Sequence, residues 1–201
     1  MTTTDQPPEL VVAHAGAWRE WLGAHHDGSS GVWLVLAKQG TTEPTSLTYD
    51  QALEDALCHG WIDGQLQGRD ETTYRRRFTP RRPRGPWSAR NVALVSQLVT
   101  AGRMHPAGMA EVERAKADGR WDTAYAGQTS IKVPDDLATA LAAEPRAQAM
   151  FDILTAQNRY AVIYRVSSAK RADTRTRRIA QFVAMLARGE TVHPQKRTLD
   201  R

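Results

Sequence analysis

The run TYRRRFTPRRPRGPW, residues 73–87, constrains this chain more than any other stretch. Three prolines and a glycine within residues 79–87 forbid a helix interior, because proline lacks the amide donor and its ring clashes with the preceding turn. The path there is extended, and Arg81, Arg82 and Arg84 are displayed on a stiff loop. Ahead of the loop, residues 61–67 and 72–79 have the length and flanks of two antiparallel strands joined by the polar turn 68–71. Side chains alternate along a strand, so Tyr74, Arg76 and Phe78 share one face while Arg75 and Arg77 share the other. Arginine therefore meets both sides of the sheet, and whichever points inward requires a partner, since a buried unpaired charge is costly. Asp63 is the nearest acid in the hairpin. With Ile62 and Leu66 assigned to the core, Trp61, Asp63 and Gln65 are expected on the opposite face.

Charge is distributed unevenly. Residues 69–90 carry eight arginines against two acids, and residues 159–201 carry eleven Lys and Arg against three. The net charge is only +5, so the rest of the chain is acidic. Local potential rather than total charge attracts an anionic partner, which makes two basic regions on an acidic body more specific than a high isoelectric point. The second region contains Lys170, Arg171, Arg175, Arg177 and Arg178.

The remaining pattern is that of an α+β protein: an N-terminal mixed helix and antiparallel-strand unit followed by an all-helical C-terminal part. The first thirteen residues, polar and Pro-containing, read as a flexible tail. Residues 15–26 form a helix with Trp18, Trp21, Leu22 and His25 on one face, and residues 31–38 form a strand. Thr48 opens a helix with Gln51 as its capping-box partner; Ala52, Leu53, Ala56 and Leu57 make its buried stripe, and Gly60 ends it. Ser88 caps a helix that runs to about Ala101, closed by Gly102, with Val92, Val95, Leu98 and Val99 as core stripe. Pro106 starts another. After a loop over 120–129, helices continue to about residue 188 with breaks near Pro145, Asn158 and Ala172. The expected domains are residues 14–128 and 129–190, with a flexible tail over 191–201.

No complete catalytic motif is present. A single cysteine, Cys58, excludes an internal disulfide. Its neighbour His59 points about 100° away around a helix, so Cys58 reads as a buried structural residue rather than a nucleophile. The histidines lack the pairing of a metal site, and no Gly-rich phosphate motif occurs, so neither metal nor cofactor is expected. No stretch approaches the roughly 18 apolar residues of a membrane span, and the N-terminus lacks the basic and apolar regions of a signal peptide, so no membrane insertion and a cytoplasmic location are expected.

Five motifs in order, ALCHGWIDG (56–64), RFTPR (77–81), WSARN (87–91), GRMHPAG (102–108) and AKRADTR (169–175), resemble the YdeI/OmpD-associated family, also described as bacteriocin-protection proteins. The resemblance implies tolerance to bacteriocins or cationic antimicrobial peptides. It implies no reaction and no catalytic residues.

Three functions follow as expectations. An anionic small molecule or peptide binds at Trp61, Asp63, Arg75, Arg77, Arg81, Arg82, Trp87 and Asn91, where guanidinium forks match carboxylates and phosphates. Alternatively, the basic segments hold nucleic acid through phosphate contacts with little sequence reading. Thirdly, Asp63 is the weak catalytic candidate of an enzyme.

Overall fold

The computed structural model describes residues 7–127 and 131–199. The chain divides into two compact units between Tyr125 and Ala126; the expected boundary at 128–129 lies outside the described residues.

In the first unit, four strands form a sheet in the order β1-β2-β4-β3: β1 (Glu9–Leu10), β2 (Val32–Ala37), β3 (Trp61–Gly68) and β4 (Thr73–Pro80). β2 and β3 both pair antiparallel with β4, and β1 pairs parallel with β2. Residues 7–13, expected as a tail, are therefore tied down: Trp33 N donates to Pro8 O and Ser46 N to Ala13 O. Residues 1–6 lie outside the described residues.

Helices α1 (Ala15–His25) and α2 (Tyr49–Cys58) cover one face of this sheet. Trp18, Leu22, Ala52 and Ala56 pack there against Leu34, Leu36, Trp61 and Phe78, all at most 1% exposed. Burying side chains of this size contributes about 1.5–3 kcal/mol each. The capping box on α2 forms as its sequence requires, Thr48 accepting from Gln51 N while the Gln51 side chain accepts from Thr48 N. The opposite stripe of α2, Leu53, Leu57 and Cys58, packs with Val95 and Leu98 of α3 (Ala89–Thr100) and with Val112 and Ala115 of α4 (Pro106–Ala117).

Two expectations for the hairpin are overturned. Trp61 faces the helices and Leu66 is 55% exposed. Trp61, Asp63 and Phe78 share the helix-covered face, and a register shift between Asp63 and Leu66, where β3 spends one more residue than β4, brings Leu66 opposite Arg76 onto that same face, where it stays exposed. On α3, Val99 is 42% exposed and lies outside the core stripe.

The second unit is all-helical, comprising α5 (Asp135–Ala142), α6 (Pro145–Asp152), α7 (Ala156–Ser167) and α8 (Ala172–Ala187). Its core gathers Leu137, Leu141, Met150, Phe151, Val162, Ile163, Val166 and Leu186. The break expected near Asn158 falls at residues 153–155, between α6 and α7, just ahead of Asn158. Buried inside the first turn of α7, that residue donates to His193 O at 3.0 Å and accepts from His193 N at 2.8 Å. Gln195 Oε1 accepts from Thr155 N and from the Asn158 amide. Residues 191–199, expected as a flexible tail, are thereby fastened to the unit, a pairing between positions over 30 apart that local composition does not reveal.

Where α2 meets α4 the backbones nearly touch. A Cβ on Gly108 would stand 2.1 Å from Cys58 O, and His105 N donates to that same carbonyl at 3.1 Å. Three imidazoles gather here, His26, His59 and His105, with ring centroids 4.7–5.6 Å apart. His59 is 8% exposed, and its Nδ1–H donates to Asp55 O at 2.8 Å. Burial holds its pKa below the usual histidine range, with a smaller upward pull from the Asp55 carbonyl and downward pushes from His105 and His26.

Gly108→Ala is expected to lower stability by at least about 2 kcal/mol through overpacking against backbone that cannot retreat, read from the urea unfolding midpoint by tryptophan fluorescence. The depressed pKa of His59 means that the unfolded chain binds this proton more tightly. Its contribution is complete above the unfolded value of about 6.5 and declines as pH falls from there toward the folded pKa. His59→Asn, which keeps a donor near Asp55 O, should flatten the loss of stability between pH 7.5 and 5; an equally steep profile in the variant would remove His59 as its source.

Candidate functional site

The middle residue of the Arg75–Arg77 run sets the geometry. Arg76 lies on the helix-covered side of the sheet, where its guanidinium pairs with Asp63 Oδ2 and stacks 4.3 Å from the centre of the Tyr49 ring. Tyr49 donates to the same Oδ2 at 3.1 Å. Burial, and next the charge of Asp63, push the Tyr49 hydroxyl up to about 12. Asp63 is thus the structural counter-ion of Arg76, as the hairpin pattern demanded. Its Oδ1 accepts no hydrogen bond among the described residues.

On the other face Arg75 reaches Glu9 at 3.1 Å and Gln67 at 3.0 Å, with its guanidinium 5.2 Å from the Trp33 ring. Glu9 also pairs with Arg69. Arg75 is consumed by these contacts and stands apart from the clefts described below. Trp61 is likewise no ligand residue: it is 1% exposed, and its indole donates to His26 O at 3.0 Å.

The Pro-rich loop then carries Arg81 inward. Arg81 N donates to Gly60 O at 2.9 Å, which closes the hairpin against the end of α2. Its guanidinium lies 3.6 Å from the centre of the Trp87 ring, and only 8% of the residue is exposed. Cation–π contact of this kind stabilises a desolvated guanidinium by about 2 kcal/mol. Among the described residues no carboxylate forms an ion pair with it, and Nε has no hydrogen-bond partner. Burial pushes Arg81 down to about 10, against upward pulls from Glu111, Tyr125 and Asp63. At neutral pH it is still a cation.

Two clefts meet at this residue. The larger, about 590 Å³, is lined by Arg77, Arg81 and Arg82 together with Gly64, Gln65 and Thr79; among the described residues no acidic side chain contributes to its wall. Arg77 Nε is buried and unpartnered there. The smaller, about 280 Å³, takes in Asp63, Tyr49, Asn91 and Arg90. Ile62, Arg81, Pro86 and Tyr125 belong to both walls. The loop that frames them is fixed from outside: Arg120 Nη1 donates to Gly85 O at 2.8 Å, and Tyr125 exchanges backbone hydrogen bonds with Trp87 and Ala89. Ser88 caps α3 by accepting from Asn91 N, so the positive end of that helix dipole also borders the smaller cleft.

The structure thus brings Asp63, Arg77, Arg81, Arg82, Trp87 and Asn91 together around one place and leaves Trp61 and Arg75 out. Glu111 was missed. One of its oxygens, Oε2, is buried without a partner, and it is the largest charge acting on Arg81. Its helical i+3 pairing with Arg114 gives it the sequence appearance of an ordinary surface acid. The second basic region belongs to the helical unit, and two of its five candidate residues are paired with acids. Arg175 forms two hydrogen bonds to Asp136 at 2.6 and 2.9 Å, and Arg171 pairs with Asp173. Arg178 donates to Arg165 O and Ser168. Lys170 and Arg177 remain exposed.

The Cys58 thiol, 3% exposed, is pushed up to about 11 by burial. A thiol so protonated is a poor nucleophile, in keeping with a structural role. No group of three or more His, Cys, Asp or Glu among the described residues is placed to hold a metal, and no described helix is long and apolar enough to cross a membrane.

Comparison with curated proteins and with solved structures returns no match. Two family models do match. Residues 10–111, just over half of the chain, match a domain of unknown function (DUF8412), and residues 130–189 match the model described as bacteriocin-protection, YdeI or OmpD-associated. Of the five motifs that carry the resemblance, AKRADTR at 169–175 falls in the second match; the other four fall in the first, which also contains Asp63, Arg77, Arg81 and Arg82. The chain belongs to the DUF8412 family in its α+β unit and carries a YdeI/OmpD-associated domain in its helical unit.

Proposed function

We propose that this protein binds a small anionic ligand in the arginine-lined cleft of its α+β unit, and that this binding underlies a cytoplasmic role in bacteriocin tolerance. One observation carries the reading. Arg81 is buried against an aromatic face with no carboxylate in ion-pair contact among the described residues, Glu111 acting on it only at longer range, and Arg77 and Arg82 beside it have no acidic partner there either. Other arginines of the hairpin are matched to acids: Arg76 to Asp63, Arg75 and Arg69 to Glu9. An anion entering the cleft supplies the missing partner, and charge-assisted hydrogen bonds to preorganised guanidinium forks are the strong ones. The tolerance part rests on the printed description of the family matched by residues 130–189.

Nucleic-acid binding draws less support. Arg75, Arg171 and Arg175 are spent on carboxylates, and the aromatic faces of Tyr49 and Trp87 are covered by arginine. Direct capture of cationic peptides at the arginine cleft is opposed by like charge.

Inorganic phosphate titrated calorimetrically at low salt is expected to bind the full chain. Arg81→Gln should weaken it by about tenfold or more, the worth of a lost charge-assisted contact, without lowering the unfolding midpoint greatly, since the variant also removes a desolvated charge. Undetectable phosphate and carboxylate binding in the unsubstituted protein would overturn the reading. In cells, the Arg81→Gln variant should fail to restore bacteriocin tolerance to a strain lacking the protein; full restoration would separate the cleft from the tolerance role.

A further inference from the structure

The two clefts differ in chemistry, and the difference constrains the ligand beyond its charge. This step rests on the anion-binding reading above. The larger cleft is a one-sign wall of Arg77, Arg81 and Arg82. The smaller one is mixed. Asp63 there keeps Oδ1 unused, because Arg76 and Tyr49 both address Oδ2. Asn91 is 9% exposed, and its side-chain amide has no hydrogen-bond partner among the described residues, although its backbone N–H is spent on Ser88. An open carboxylate oxygen beside a buried amide supplies acceptors and donors together, which is what a hydroxyl group, itself donor and acceptor, requires. A ligand that covers these groups without satisfying them loses about 1–3 kcal/mol per group, so the pair discriminates for a ligand that bonds to both.

Two of the aromatic rings beside the clefts are engaged by arginine: the Tyr49 ring is approached by Arg76 at 4.3 Å and Arg90 at 5.6 Å, and Trp87 is covered by Arg81 at 3.6 Å. The ring faces turned to these guanidiniums are not open to a nucleobase. The smaller cleft, about 280 Å³, also sits at the low end of the roughly 300–1,000 Å³ typical of ligand sites, a size for a compact group.

We infer that the ligand is a phosphorylated polyhydroxy compound of the sugar-phosphate class. Its phosphate lies among Arg77, Arg81 and Arg82, and its hydroxyls reach past Arg81 to Asp63 and Asn91. Arg81 stands in both walls and fixes the distance between the two ends of the ligand.

The test is calorimetric titration of the full chain with inorganic phosphate, a hexose phosphate, the unphosphorylated hexose and a nucleoside monophosphate. The hexose phosphate should bind about tenfold or more tighter than inorganic phosphate, which corresponds to at least one satisfied buried hydrogen bond. The free hexose should bind weakly, and the nucleotide no better than phosphate. Asp63→Asn and, separately, Asn91→Ala should each collapse the ratio between hexose phosphate and phosphate. Asn91→Ala carries the decision if loss of the Arg76 counter-ion unfolds Asp63→Asn. Equal affinity for phosphate and hexose phosphate, a preference for the nucleotide, or an unchanged ratio in Asn91→Ala would overturn the inference while leaving the anion site standing. Absence of binding by every phosphate would instead remove the anion site itself.

Discussion

Three consecutive arginines on one strand impose the constraint from which most of the α+β unit follows. A strand turns successive side chains to opposite faces, so Arg75, Arg76 and Arg77 place positive charge on both sides of a sheet whose neighbours are apolar. Each must be answered or left at an opening. Arg76 is answered from within the hairpin by Asp63 and is wedged against Tyr49 of α2. Arg75 is answered by Glu9, far away in sequence, and the segment carrying Glu9 joins the sheet as β1. Arg77 receives no acid among the described residues, and the surface around it is a cleft. The same requirement thus accounts for the orientation of the hairpin, for an added strand and for the position of the opening.

Arg81 extends that logic from the sheet into the loop. It is held at its backbone by Gly60, at its guanidinium face by Trp87, and along its loop by Arg120. These anchors come from the end of α2, the start of α3 and the turn after α4. The close backbone contact of Gly108 with Cys58 keeps α4 in place and so contributes to the arrangement from a distance. A cation fixed by several independent elements loses little entropy when an anion arrives, which is the physical meaning of a preorganised site. The chain has placed a buried arginine without an ion-pair partner among the described residues on a loop held by three separate elements.

Local signals in the sequence were dependable where the governing interaction spans a few residues. The capping box Thr48–Gln51, the Ser88 cap, Pro106 at a helix start and Gly60 and Gly102 at helix ends all act within one turn. The need of an inward arginine for Asp63 was also legible, because both lie in one hairpin. Failures cluster where a distant partner decides. Glu9 gains a role only when Arg75 and Arg69 are brought to it. The clasp between the Asn158 side chain and the His193 backbone joins positions 35 apart, which no local pattern shows. Asp55, 2% exposed and paired with both Arg19 and Arg103, reads as an ordinary acid of an amphipathic helix. Trp61 faces the helices rather than the opposite side, because residues of α1 and α2 pack against its ring, while Leu66 on the same face stays exposed.

By itself, the sequence determined the α+β class, the extended course of the Pro-Arg loop and the helix ends, because proline geometry, capping and side-chain periodicity are properties of neighbouring residues. It also determined that arginines would outnumber acids around the hairpin. Which arginines are spent and which are kept open was decided only by tertiary structure. Neutralising a guanidinium takes a carboxylate at about 3 Å, and here the carboxylates arrive from segments 13 to 66 positions away in the hairpin unit. Arg81 is distinguished from Arg75 by what packs against it, and no local pattern of residues encodes that difference.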